Sequence, residues 1–129
     1  MKFILSTSLI LASLFFSHFN TKEVSPFEIE VQRNGDSVKM KCTEGCKWTE
    51  LKFELKGKNP MVINESGVYK KTTYTGEPDV SFAFYINDLP DGLEFESING
   101  TAWGKLSFQI NPSKLMYLDE TGVSMIRQK

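Results

Sequence analysis

Apolar and polar residues alternate along most of this chain with a period of two, and the same alternating block occurs twice. Phe27, Ile29 and Val31 are interleaved with Glu28, Glu30 and Gln32; past Asn34-Gly35, Val38, Met40 and Cys42 are interleaved with Lys39, Lys41 and Thr43. Two alternating runs around Asn-Gly predict an antiparallel hairpin. With Asn34-Gly35 as the loop, Val31 is expected opposite Val38, Ile29 opposite Met40 and Phe27 opposite Cys42 on the inner side. Glu30 is expected opposite Lys39, and Glu28 opposite Lys41, on the wet side. Each such charge pair contributes roughly 0.2–1 kcal/mol.

A tight corner at Glu44-Gly45-Cys46 and a tryptophan, Trp48, come next. The strand Leu51, Phe53, Leu55 follows, with Glu50, Lys52, Glu54 and Lys56 on its polar side. After Pro60 a short run, Met61-Val62-Ile63, ends in the turn Asn64-Glu65-Ser66-Gly67. The second block repeats this order. Phe82, Phe84 and Ile86 run to a turn at Asp88-Leu89-Pro90-Asp91, and Leu93 and Phe95 return. Asn99-Gly100-Thr101 and Trp103 form the corner, and Leu106, Phe108 and Ile110 the next strand. After Pro112 come Met116-Tyr117-Leu118 and Asp119-Glu120-Thr121-Gly122. Outside the first twenty residues no stretch carries a helical period.

Residues 27–68 align without a gap to residues 82–123 at an offset of 55, with ten identities in 42 positions, among them Phe27/Phe82, Asp36/Asp91, Gly45/Gly100, Trp48/Trp103 and Glu65/Glu120. Random pairing would give about two or three. The chain is an internal duplication, and an amphipathic sheet from one copy needs the apolar face of another to cover it. The expected fold is all-β: an antiparallel β-sandwich or small barrel of about eight strands, from two tandem four-stranded repeats with a pseudo-two-fold axis. Its core is Phe27, Ile29, Val31, Val38, Met40, Trp48, Leu51, Phe53 and Leu55 with their counterparts. Residues 69–81 form a polar linker, with an edge strand possible within Val68 to Tyr74.

Met1 to Asn20 reads as a secretory signal peptide: Lys2 opens it, and an apolar run from Ile4 to Phe16 is too short to span a bilayer. Cleavage is expected between Ser17 and Lys22, leaving residues 21–129 as a single β domain. Removing 20 of 129 residues leaves 109, and losing Lys2 leaves 14 basic against 16 acidic side chains. A slightly acidic domain lacks the basic stripe of a nucleic-acid binder. The one histidine, His18, leaves with the signal. The mature domain therefore has no imidazole for nucleophile activation or metal ligation.

Cys42 and Cys46 are the only cysteines, and in an exported chain such a close pair is expected as a disulfide. A redox couple is the alternative, but the C-x3-C spacing and the lack of a following helix start speak against it. Ser97 and Thr101 hold the matching positions, so the corner does not depend on the bridge. Trp48 and Trp103 are candidates for ligand stacking or for packing. Glu65 and Glu120 are symmetry-related carboxylates of the kind glycoside hydrolysis requires, yet each sits in a turn. Calcium at Asp119-Glu120, or among Asp79, Asp88 and Asp91, lacks a regular ligand spacing. Asn64-Glu65-Ser66 and Asn99-Gly100-Thr101 match the N-glycosylation acceptor pattern. No catalytic residue, metal or cofactor is assigned.

The stretch Gly-Thr-Ala-Trp-Gly-Lys-Leu-Ser-Phe at 100–108, and Glu44-Gly45-Cys46-Lys47-Trp48 with Leu51-Lys52-Phe53, resemble small exported proteins of Bacteroidota-type bacteria. These carry a Gly-Cys/Thr-Ala-Trp corner, a Leu-Ser-Phe strand and a later Tyr-Gly-Met-type turn, which here reads Glu-Ser-Gly-Val and Glu-Thr-Gly-Val. The resemblance implies export from a bacterium and transfers no functional residue. The reading at this stage is an exported, non-enzymatic β domain that binds an unknown protein or envelope partner. The alternatives are a carrier of a small hydrophobic ligand and a thiol-redox accessory protein. Six phenylalanines outside the signal suffice for a core and leave no obvious surplus for a cavity.

Overall fold

The computed structural model describes residues 24–56, 59–76, 79–110 and 114–125. The expected signal peptide and its cleavage site lie outside these residues. The described residues contain ten strands and no helix: β1 (Glu28–Asn34), β2 (Ser37–Glu44), β3 (Glu50–Glu54), β4 (Met61–Asn64), β5 (Gly67–Lys70), β6 (Ala83–Leu89), β7 (Gly92–Asn99), β8 (Lys105–Gln109), β9 (Met116–Asp119) and β10 (Gly122–Ser124). They form two antiparallel five-stranded sheets, β10-β9-β1-β2-β3 and β5-β4-β6-β7-β8, packed as a sandwich and not closed into a barrel. The count exceeds the expected eight because the turns after β4 and β9 each return a short extra strand.

Each sheet is a hybrid. Three strands come from one copy of the repeat and two from the other: β4 pairs with β6, and β9 with β1. The connections after β3 and β8 cross from one layer to the other. The copies do not stack as separate four-stranded sheets; each lends its last hairpin to its neighbour's sheet. Every strand thereby gains a hydrogen-bonded partner, and the two halves cannot be separated without opening both sheets.

The first hairpin departs from the expected register. Its loop is Gly35-Asp36, with Gly35 at φ 60°, so Val31 lies opposite Met40, Ile29 opposite Cys42, Glu30 opposite Lys41 and Gln32 opposite Lys39. The shift is two residues, which preserves the inward and outward faces and changes only the partners. Arg33 continues the inward series of Ile29 and Val31, and the shift sets it opposite Val38. A bulge follows Glu28, leaving it opposite Glu44 rather than Lys41; Glu28 is buried and accepts a hydrogen bond from Thr43 Oγ1 at 2.6 Å. The second hairpin has the matching loop, Pro90-Asp91, and the matching bulge after Ala83.

The core holds the residues that alternation assigns to it. Phe27, Ile29, Val31, Val38, Met40, Phe82, Phe84, Ile86, Leu93, Phe95 and Leu118 are fully buried. Trp48, Leu51, Phe53, Leu106 and Phe108 pack against them while partly open to solvent. The Leu and Phe residues of that second group lie on β3 and β8, the edge strands, which have a neighbour on one side only.

Candidate functional site

Two contacts between equivalent residues locate the axis of the duplication. Phe27 and Phe82 stack with ring centroids 4.1 Å apart, and Arg33 and Asp88 form an ion pair at 2.6 Å. Both pairs join equivalent positions, so both midpoints lie on the axis, which runs lengthwise between β1 and β6. One end of the sandwich holds the phenylalanine stack. The other holds the ion pair and the two hairpin loops.

The phenylalanine end gathers the two tryptophans, the two turn glutamates and the cysteine pair singled out from the sequence, and there the tryptophan corners of the two copies repeat each other bond for bond. Trp48 Nε1 donates to Asn64 O and Trp103 Nε1 to Asp119 O, each at 2.9 Å. Lys47 N donates to Glu65 O and Ala102 N to Glu120 O, each at 2.8 Å. Asn64 Oδ1 accepts from Ser66 N and Gly67 N, and Asp119 Oδ1 from Thr121 N and Gly122 N, closing the turns after β4 and β9. Trp103 is buried and Trp48 half-buried.

The carboxylates of Glu65 and Glu120 do not face each other across a cleft. Glu120 Oε1 accepts from Phe27 N at 3.0 Å, and Glu65 Oε1 accepts from Ser81 N. Each clamps the segment entering the first strand of a repeat. Gly45 and Gly100 make the corners beneath, at φ 89° and 86°. A Cβ on Gly45 would strike Pro26 O, and one on Gly100 would strike Ser81 O, so the chain passes where only glycine fits.

Cys42 and Cys46 form a disulfide, with Cα atoms 6.2 Å apart. At the matching corner Thr101 Oγ1 donates to Ser97 Oγ at 2.7 Å. A hydrogen bond thus spans the positions that the disulfide spans in the other copy. Both glycosylation patterns fall where their asparagines are engaged. Asn64 is fully buried, and Asn99 Nδ2 donates to Val80 O at 3.4 Å.

The opposite end holds two of the calcium candidates, Asp88 and Asp91, in a cleft not expected from the sequence. A cleft of about 560 Å³ opens there between the β1–β2 and β6–β7 loops, lined in part by Arg33, Asp36, Asp88, Pro90, Asp91 and Gly92. Arg33 forms its floor: Nη2 meets Asp88 Oδ1 at 2.6 Å, Nη1 donates to Gly92 O at 2.8 Å and Nε to Gly35 O at 2.8 Å. Asp36 and Asp91 are exposed, symmetry-related and held by their backbones, since Leu55 N donates to Asp36 O and Ile110 N to Asp91 O. Of the calcium candidates, Asp88 and Asp91 share this cleft, whereas Asp119 lies at the far end; among the described residues no group of three His, Cys, Asp or Glu side chains is placed to hold a metal ion. Two signals for the cleft stand in the sequence: the Asp36/Asp91 identity, and the charge reversal from Arg33 to Asp88 at the repeat offset.

Comparison of the chain with protein-family models, with curated proteins and with solved structures found no match. Among the described residues no helix is long and apolar enough to cross a membrane.

Proposed function

We propose that this chain is an exported, non-catalytic β domain that works by binding a protein or envelope component, with the cleft between the two hairpin loops as its contact region. One observation carries the reading. At the phenylalanine end the indole N–H groups of Trp48 and Trp103 and one carboxylate oxygen of each of Glu65 and Glu120 are bonded to the backbone, while at the other end Asp36 and Asp91 stand exposed around an open cleft. Export rests on the apolar leader of residues 1–20, on the Cys42–Cys46 disulfide and on the resemblance to small exported bacterial proteins. Fully buried phenylalanines fill the space between the sheets, which favours binding on the outside over carriage of a hydrophobic passenger within. The Ser97–Thr101 hydrogen bond in the disulfide's equivalent place favours a structural role for the cysteines over a redox one.

The test is comparative capture from the cell-envelope fraction of the source organism. Wild-type protein retains a component that the Asp36→Asn/Asp91→Asn double variant, with an unchanged urea midpoint, fails to retain. Equal retention by both removes the cleft from the proposal. Turnover of an ester, glycoside, peptide or phosphate substrate that Glu65→Gln or Glu120→Gln abolishes would overturn the non-catalytic reading.

A further inference from the structure

The two copies guard their free edges differently. β3 and β8 are equivalent strands, each last in its sheet. Hydrogen bonds from Ser97 N to Gly104 O and from Ile110 N to Asp91 O bracket the β7–β8 ladder. Antiparallel alternation then makes Phe95–Leu106 and Leu93–Phe108 the hydrogen-bonded pairs. The backbone N–H and C=O groups of Lys105, Ser107 and Gln109 therefore point away from β7, along the open edge. The same argument from Cys42 N to Thr49 O and Leu55 N to Asp36 O turns those of Glu50, Lys52 and Glu54 outward on β3.

On β3 all three of these residues are charged. Two β3 edges brought together antiparallel about their centre would set Lys52 against Lys52 and Glu50 against Glu54 twice, the arrangement that keeps natural edges apart. On β8 only one of the three is charged: Lys52 and Glu54 have become Ser107 and Gln109, and Glu50 has become Lys105. Two β8 edges paired in the same way set Ser107 against Ser107, Lys105 against Gln109 and, on the inner face, Leu106 against Phe108. No like charges oppose, and two half-buried apolar side chains per copy gain cover. A hollow of about 490 Å³ beside β8 is lined in part by Ser107, Phe108 and Gln109.

We infer that β8 is a self-association edge, through which two copies of the chain pair antiparallel about Ser107 and join their sheets into one of ten strands. Pairing β8 with a second copy's β3 would place Glu54 against Lys105 but would also bury the edge charges of β3, and it would propagate without closing. Self-pairing of β8 closes at two.

The experiment uses the chain expressed with its natural N-terminus, so that any processing occurs. Sedimentation across a concentration series is expected to show the mass rising to that of a dimer and stopping there. Ser107→Lys, which sets like charges directly opposite, raises the dimer dissociation constant by about tenfold or more. Lys52→Ser on β3 leaves the curve unchanged. Ser107→Cys, oxidised at a concentration where the dimer prevails, gives a dimer whose cross-link maps to the introduced cysteine joined to its own copy, which also decides the matter if Ser107→Lys fails to fold. A monomer at every concentration, growth beyond the dimer, or a Ser107→Lys curve equal to wild type would each overturn the inference.

Discussion

Arg33 and Asp88 occupy the same position in the two copies of the repeat, and they meet each other across the sandwich at 2.6 Å. A symmetric pair of arginines, or of aspartates, on the axis would repel. With unlike residues in the two copies the position instead holds an ion pair whose side chains are only 12% and 22% exposed. The same sign reversal recurs on the solvent faces, where Lys41 lies opposite Glu50 and Glu96 opposite Lys105.

Arg33→Met is expected to cost about 2–3 kcal/mol, because it removes the ion pair to Asp88 and the donors to the carbonyls of Gly35 and Gly92. The exchange Arg33→Asp with Asp88→Arg restores at least half of the loss, since the two positions are equivalent about the axis. Urea unfolding of the single and double variants provides the cycle; an exchange no better than Arg33→Met would show that the local loops, not the axis, set the geometry.

The tryptophans should differ in weight. Trp103 is buried and Trp48 half-buried, while each donates one hydrogen bond to a carbonyl. Trp103→Phe is expected to lower stability by about 2–3 kcal/mol and Trp48→Phe by about 1–2. Denaturation midpoints measure this directly, and an equal or reversed order would contradict the burial.

Replacing the cysteines by the residues of the other copy, Cys42→Ser with Cys46→Thr, should keep the fold and cost about 2 kcal/mol, the chain-entropy value for so short a loop. Thermal melts with and without reductant provide the comparison. Wild type in reductant should match the double variant closely.

Gly45→Ala and Gly100→Ala are each expected to cost about 3 kcal/mol or more, because each combines a positive φ with a Cβ driven into backbone. Gly35→Ala also sits at positive φ but faces open space, and about 1 kcal/mol is expected. A Gly35 variant as unstable as the Gly100 variant would refute the steric argument.

The sequence by itself determined the duplication, the all-β class, which side of each strand faces inward, the glycine corners and the Cys42–Cys46 bridge. These are local properties: a period of two, a turn and a four-residue separation are written in neighbouring residues. Tertiary structure decided the rest. Alternation is unchanged by a two-residue slip, so the hairpin loop could settle at Gly35-Asp36 without exposing a core residue, and that slip set Arg33 opposite Val38. Alternation also says that Ile63 and Leu118 are buried without saying in which sheet. Hydrogen-bond pairing across the sandwich gave the last hairpin of each copy to its neighbour. The cleft followed, because only the lengthwise axis brings residues 55 positions apart, Arg33 with Asp88 and Asp36 with Asp91, to the same end of the molecule.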